Sequence, residues 1–368
     1  MSALLDVDGL VRHFVAGRSI LGTPKAVVRA VDGVSFRVEA GRTLALVGES
    51  GCGKSTVGRL VLRLIEAEAG RVSFEGRDIA QYSAEELRAF RRKAQIIFQD
   101  PYASLNPRMT IAQALAEPLA LHGLAEAGQR RQRVDDILRL VGLEPRFAQR
   151  YPHEFSGGQR QRIAIARAIA VEPKLIVCDE PVSALDVSIR SQILNLLRDL
   201  QRQLGLAYIF ISHDLAVVKH VADDVAVMNL GQIVETGPAA ALFEQPRHPY
   251  SRALLSAIPI PSPSRERTRV VLSGELPSAI DPPSGCRFHT RCPYVIDRCR
   301  TEQPALAADA TGHAAACHRT AELPNFTIAA RGAGTRSATL ERLTAAFTAK
   351  SFFIKSEVRG RQGVHNPG

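Results

Sequence analysis

The chain of 368 residues contains no tryptophan, and only 5% of its residues are aromatic. That scarcity argues against the stacking platforms that grip single-stranded nucleic acid. No run approaches the roughly 20 consecutive apolar residues a membrane-spanning helix requires. The opening Met1-Ser2-Ala3-Leu4-Leu5-Asp6-Val7-Asp8 lacks the basic-then-apolar layout of a secretory signal. The expectation is a protein that remains in the cytoplasm, where it can still dock on a membrane protein. Cysteine is sparse, with six residues, and a cytosolic setting disfavours structural disulfides. An acidic surplus is also lacking, since the formal net charge is +10. Such charge suits nucleic acid or an anionic membrane. It is spread along the chain, however, as it would be where arginine is simply the preferred cation.

What is present is organised by strands and glycine turns. Val34, Phe36 and Val38 alternate with polar residues as a half-buried strand does, and Thr43-Leu44-Ala45-Leu46-Val47 reads as a buried one. An apolar helical face runs over 56–65, Arg71-Val72-Ser73-Phe74 with Glu75-Gly76 reads as a hairpin, and Ser83-Ala84-Glu85-Glu86 as a capped helix start. After the strand at 94–99, residues 100–160 read as mostly helical, broken by Pro101, Pro107, Pro118, Pro145 and Pro152. Continuous apolar strands at 174–179 and 207–212 flank a helix over 188–204, a βαβ unit whose sheet is covered on both faces. Proline and serine mark 258–283 as a surface linker, and 284–320 is a short cysteine-bearing module. Residues 321–368 show no sustained periodicity and read as a poorly ordered tail.

Three motifs carry the chemistry. Gly48-Glu49-Ser50-Gly51-Cys52-Gly53-Lys54-Ser55 lies between a strand and a helix, the context a phosphate-binding loop requires. Gly48, Ser50, Gly51 and Gly53 let backbone N–H groups wrap phosphates, Lys54 reaches the β/γ oxygens, and Ser55 offers a hydroxyl to Mg2+. Thr56 continues the same first helical turn. Asp179 and Glu180 end an apolar strand, Asp179 placed for Mg2+ and Glu180 for orienting or deprotonating a water. His213 ends the next strand, on the side of a parallel sheet where ligands bind. The third motif, Phe155-Ser156-Gly157-Gly158-Gln159, is a second glycine-led helix start and hence a second anion site. One chain with two such turns suggests an ATPase that pairs with another copy of its fold.

With these residues in order, the chain resembles an ATP-binding subunit of an ABC transporter. The resemblance implies that Gln99 is the Q-loop glutamine and a Mg2+ ligand beside Ser55 and Asp179. It makes residues 155–159 the signature, with Ser156, Gly157, Gly158 and Gln159 contacting nucleotide. Ser183-Ala184-Leu185-Asp186 becomes the D-loop and His213 the switch histidine. The signature opens with Phe155 where leucine is commoner. The adenine-stacking aromatic falls on Phe14, although 15–29 reads as an insertion before the next strand. The implied fold is α/β, a P-loop NTPase (RecA-like) core with an antiparallel β subdomain, a helical insertion and a small C-terminal cysteine-bearing module. Its expected divisions are 1–98 with 161–240 for the core, 99–160 for the helical subdomain, 241–320 for the extension and 321–368 for the tail.

Finer resemblance, over residues 1 to 320, is to dipeptide and oligopeptide importers. It rests on Gln99-Asp100-Pro101-Tyr102-Ala103-Ser104-Leu105-Asn106-Pro107-Arg108, and on His248-Pro249-Tyr250-Ser251-Arg252-Ala253-Leu254-Leu255 followed by Pro259. It implies ATP and Mg2+ as ligands, a heterodimer with a second related ATPase, two permease subunits, an extracytoplasmic binding protein, and a peripheral place on the cytoplasmic face of the membrane. The Asp-Pro-Tyr form is similar to the second of the two ATPases. Peptides are the expected cargo, with nickel or glutathione carried by near relatives. The spacing of Cys286, Cys292, Cys299 and Cys317 does not fit paired C-x2-C zinc knuckles. Four thiolates from one loop-rich segment suit a [4Fe–4S] cluster, which some such ATPases carry; four free thiols or adventitious zinc are the alternatives. A non-transport ABC protein acting on nucleic acid or the ribosome is the competing function. Against it stand the single set of motifs and the lack of a long coiled-coil insertion.

Overall fold

A computed structural model describes residues 3–18, 24–258 and 277–326. Most of the linker expected over 258–283 and of the tail expected over 321–368 lies outside the described residues, as does part of the 15–29 insertion.

The sequence alternation places side chains on two faces of one large sheet. Its centre is five parallel strands in the spatial order Asp224–Asn229, Thr43–Val47, Ala207–Ser212, Leu175–Asp179 and Ala94–Ile97. Ile176, Cys178, Tyr208 and Phe210 point into one core, which the helices Ile111–Leu121, Arg130–Leu140 and Gly157–Ile169 complete. Their strand neighbours Leu175, Val177, Ile209 and Ile211 point into the other. That is the two-residue period of a strand buried on both sides. The second core is closed by an antiparallel sheet in the order Pro24–Val38, Leu5–Arg18, Ala69–Phe74 and Arg77–Asp78. Its hairpin turns through Glu75 and Gly76, at φ 52° and 80°.

Two expected boundaries shift. The helix after the phosphate loop is Lys54–Val61, ending short of 65, because Arg63 adopts φ 48° and cannot continue a right-handed helix. Pro118 does not break its segment but sits inside Ile111–Leu121. There Ile111, Ala114, Leu115 and Leu119 are buried on one face, and that packing outweighs the roughly 3 kcal/mol an interior proline costs. The helix expected over 188–204 is Val187–Leu204, closed by Gly205 in the left-handed region.

The cysteine-bearing stretch is continuous with the main sheet. Gln232–Pro238 pairs antiparallel with Asp224–Asn229, and Ala314–Ala315 and then Ala307–Ala308 extend that edge. Phe288 and Tyr250 share a third core with Ala45, Val47, Val225 and Val227, against which Cys286 and Cys292 pack. The extension thus leans on the strand that feeds the phosphate loop.

Candidate nucleotide site

The loop after Thr43–Val47 is a wrap only glycine can make. A Cβ on Gly48 would lie 2.2 Å from the Met228 carbonyl oxygen, and one on Gly53 would lie 2.0 Å from that of Ala30. Gly53, at φ 107°, precedes the helix Lys54–Val61 with no side-chain cap, so the first N–H groups are left for an anion. Lys54 is 5% exposed and folds its ammonium onto the carbonyls of Gly48 and Glu49, each at 2.9 Å.

Ser55 Oγ donates to Asp179 Oδ1 over 2.7 Å. Burial pushes the Asp179 carboxyl up from its usual value and Glu180 adds to this, whereas Ser55, Arg59 and Lys54 oppose it. A hydroxyl beside a carboxylate at a strand end is a hard-oxygen pair that fits Mg2+. Glu180 sits at φ 48° and is fastened by its N–H to the Ile211 carbonyl at 3.1 Å. A non-glycine residue in that region is strained, and such strain gathers at functional sites. Gln99 Nε2 donates to Glu180 Oε2 at 3.0 Å, and His213 Nδ1 lies 3.2 Å from Oε1. Both carboxylate oxygens are therefore held from neighbouring strand ends. Gln99 spends an amide N–H on Glu180, which leaves its Oε1 free of that bond. Beside them lies a cavity of about 20 Å³, lined by Glu180, Ser183, Ser212, His213 and Asp214, large enough for one water.

The signature stands apart from this cluster. Ser156 caps Gly157–Ile169 through Gln159 N–H, and Gln159 Oε1 accepts from Ser156 N–H at 3.1 Å. Ser156 and Gly157 are exposed. Among the described residues no hydrogen bond joins 156–159 to Lys54, Ser55, Asp179, Glu180 or His213. Phe155 is buried against Phe147, ring centroids 5.8 Å apart, so its size is absorbed inside the helical layer, away from the exposed turn. Asp186 precedes Val187–Leu204 without a side-chain cap bond. Phe14 is 37% exposed on the first strand, opposite Val28, with the Arg12 guanidinium 5.0 Å from its ring centre.

Several residues here gave no sequence signal. Arg160 donates to the carbonyls of Pro152 and His153 and lies 3.6 Å over the Tyr102 ring, joining the signature helix to the Q-loop extension. Arg190 bridges Asp214, next to His213, and the Leu185 carbonyl of the D-loop. An isolated arginine on a helix carries no motif, so only the fold reveals these ties.

The four C-terminal cysteines share one locality, with each thiol in electrostatic reach of the other three. Burial pushes Cys286 and Cys292 up to about 11 and raises Cys317 as well. The ligand set expected for a cluster is not preformed, however. Among the described residues no group of three or more His, Cys, Asp or Glu is arranged to hold a metal ion.

Comparison with known proteins agrees with this geometry. The family described as ABC transporter matches residues 31–183, and that described as oligopeptide/dipeptide transporter, C-terminal region, matches 234–299. A probable peptide ABC transporter ATP-binding protein, y4tS of Sinorhizobium fredii, is 56% identical over 316 residues, 86% of this chain and 90% of that one. This chain belongs to the ABC transporter ATP-binding proteins, in their oligopeptide/dipeptide branch. The di/tripeptide transport ATP-binding protein DppF of Pseudomonas aeruginosa is 52% identical, over 83% of this chain and 94% of that one. Among solved structures, cbiO1 of Clostridium perfringens, part of the ABC transporter complex cbiONQ, gives a TM-score of 0.57 at 29% identity, covering 66% of this chain and 91% of that one. The ATP-binding cassette MJ0796, a dimer in a post-hydrolysis state bound to ADP and Pi, gives 0.57 at 27% identity, covering 64% and 98%. As an ABC ATPase this chain binds and hydrolyses ATP. Among the described residues no helix is long and apolar enough to cross a membrane.

Proposed function

We propose that this chain drives an importer of peptides or similarly small solutes, as one half of a heterodimer beneath two permeases on the cytoplasmic face of the membrane. An extracytoplasmic binding protein delivers cargo to those permeases. The observation that carries the reading is the grip on Glu180, whose two carboxylate oxygens face Gln99 and His213.

ATP lays its phosphates on the N–H groups of Gly48, Ser50, Gly51, Gly53, Lys54, Ser55 and Thr56, and Lys54 exchanges the Gly48 and Glu49 carbonyls for β/γ oxygens. Phe14 offers its ring to adenine. Ser55, Asp179 and Gln99 would hold Mg2+, which when bound neutralises phosphate charge. Glu180 accepts the proton of the attacking water, and Gln99 and His213 fix the direction of its carboxylate. Ser156, Gly157, Gly158 and Gln159 complete the partner's site, as Asp186 does from the D-loop. This is supported by the exposure of Ser156, Gly157 and Asp186 and, among the described residues, by the lack of any hydrogen bond from 156–159 to Glu180. The divisions 1–98 with 161–240, 99–160 and 241–320 then serve as motor, coupling layer and extension. The Asp-Pro-Tyr start of the Q-loop extension, at 100–102, supports the second-subunit assignment.

In the assembled transporter, Glu180→Gln should retain ATP binding while turnover falls by about 10²–10⁴-fold; undiminished hydrolysis would exclude Glu180 as base. Permeases and a second ATPase should co-purify with the chain. Recovery of ribosomes or nucleic acid instead would favour the non-transport reading, which no observation here supports. The cysteine module supports a finer reading, a [4Fe–4S] cluster on Cys286, Cys292, Cys299 and Cys317. Its chemistry is that of four neighbouring thiols, and it enters no step of hydrolysis. Anaerobically purified protein should be brown and contain iron and sulfide in equal amounts; colourless, iron-free protein sinks it.

A further inference from the structure

The phosphate loop is held from a direction its own motif does not account for. Glu49, a residue whose identity the loop pattern leaves open, receives two contacts from the C-terminal extension. Its backbone N–H donates to Tyr250 Oη at 2.8 Å, and Tyr250 is fully buried. Its carboxylate takes both arms of the Arg291 guanidinium, Nη1 to Oε2 at 2.7 Å and Nη2 to Oε1 at 2.9 Å. The Arg291 side chain is only 9% exposed, and that of Glu49 27%. A two-pronged pair of this kind fixes orientation as well as distance.

The same extension reaches the loop from behind. Arg287 bonds Asp32 and the Leu230 carbonyl, while Gly231 N–H donates to the Cys52 carbonyl at 3.0 Å. On the other side of Glu49, its carbonyl oxygen is one of the two that Lys54 holds. A continuous path of hydrogen bonds and backbone thus runs from the segment bearing Cys292, through Arg291 and Glu49, to the phosphate-binding lysine.

We propose that the C-terminal extension is a clamp on the nucleotide loop, with Arg291 from its cysteine-bearing stretch and Tyr250 from its helix Pro249–Ser256 as positioning residues that preset the Glu49–Lys54 geometry for ATP. A loop held in its binding shape loses less conformational freedom when nucleotide arrives, so the clamp acts on affinity before it acts on chemistry. Tyr250 supplies an acceptor to a backbone N–H that the anion does not need. Arg291 stops the Glu49 carboxylate from swinging towards the phosphates, where a second negative charge would oppose them. The proposal rests on 48–56 being the nucleotide site.

The test compares the full chain with Arg291→Met, Glu49→Gln and their combination, by ATP titration, ATPase kinetics with the partner subunits present, and thermal melting. Methionine keeps most of the volume and discards the fork. Arg291→Met should weaken ATP binding about fivefold or more and raise KM by more than it lowers kcat, with little change in melting temperature. The double variant should be no worse than Arg291→Met alone, and the reversal Glu49→Arg with Arg291→Glu should recover part of the loss. Unchanged affinity in folded Arg291→Met overturns the proposal. So does a parallel fall of KM-independent turnover and melting temperature, which marks a merely structural contact. Should Arg291→Met fail to fold, Glu49→Gln at the loop surface carries the same expectation, and unchanged affinity there overturns it equally. Lys54→Ala separates the two readings. If it binds ATP normally, the site assignment has failed and the clamp with it; if it abolishes binding while Arg291→Met has no effect, the clamp alone has failed.

Discussion

The phosphate loop and the signature turn are both glycine-led helix starts, yet they are built on opposite plans. The loop carries Gly48, Gly51 and Gly53 at positive φ, and no side chain caps its helix. Its glycines exist to bend the backbone, and its orphan N–H groups are left for a ligand. In the signature, Gly157 and Gly158 lie within the helix at ordinary dihedrals, and Ser156 with Gln159 forms a reciprocal capping box. Here the second glycine is needed for packing, since a Cβ on Gly158 would lie 2.5 Å from Ile189 Cγ2. One turn leaves donors free for an anion, while the other is a firm helix start with Ser156 and Gly157 exposed. That difference suits the proposed sharing of a site between two subunits.

The severest way to break the contrast is Gly53→Ala. A methyl group there meets the rigid Ala30 carbonyl at 2.0 Å while the backbone sits at φ 107°, so loop and bound phosphates cannot both keep their places. Nucleotide affinity should fall at least about 100-fold, as measured by titration, a loss of roughly 2.7 kcal/mol. Affinity close to the parent's would show that the loop does not depend on backbone curvature.

Gly158→Ala should act more gently and through stability. The obstructing group is the Ile189 Cγ2 methyl and not backbone, so the overpacking cost is about 1–3 kcal/mol, read in denaturant unfolding. Ile189→Ala in the same chain should return much of it. No rescue would mean that Gly158 is required for its backbone and not for the space it leaves.

Most of this architecture could be read from the residues in order, and the reasons are local. Strands buried on both faces announce themselves as continuous apolar runs, Ser83 announces a helix start by its partner three residues on, and the glycines at 157–158 announce another. What could not be read is whatever depends on distant partners. Pro118 looks like a breaker until its helix is seen packed against Arg130–Leu140 and Gly157–Ile169. The cysteine module looks like a separate bead until Ala314 and Ala315 are found paired with Thr236 and Glu235. Arg291 and Glu49 lie 242 positions apart, and no spacing rule connects them. The expected metal cluster illustrates a further limit, since cysteine spacing indicates which ligands are available but not whether the fold has already gathered them.

Acidification offers a graded comparison of the two turns. Burial raises the Asp179 carboxyl above the ordinary range, and a cation favours its ionised form. Affinity that depends on Mg2+ is therefore fully present above that raised value and lost as pH falls through it. The loss should begin at a higher pH than an unperturbed carboxylate would give. The signature residues 156–159 contain no group that titrates in this range. ATP titrations from pH 7.5 to 5, with and without Mg2+, should show the two curves converging on acidification. Parallel curves would remove Asp179 from the cation site.

The smallest expected effect on this chain's own nucleotide is that of Ser156→Ala. Its hydroxyl caps a helix whose apolar face is already buried against the sheet, so its loss should cost about 1 kcal/mol of stability. Ser156 makes no hydrogen bond to Lys54, Ser55 or Glu180 among the described residues, and the isolated chain should bind ATP as the parent does. If the signature serves the partner's site as proposed, the same change in the assembled transporter should depress hydrolysis at the partner's nucleotide, because the Ser156 hydroxyl is then missing from that γ-phosphate while the N–H of Gly157 remains. Assembling Ser156→Ala and, separately, Glu180→Gln with an unaltered partner ATPase resolves whose site each residue serves. Equal loss of ATP affinity in the isolated Ser156→Ala chain would return the signature to its own subunit and dissolve the contrast.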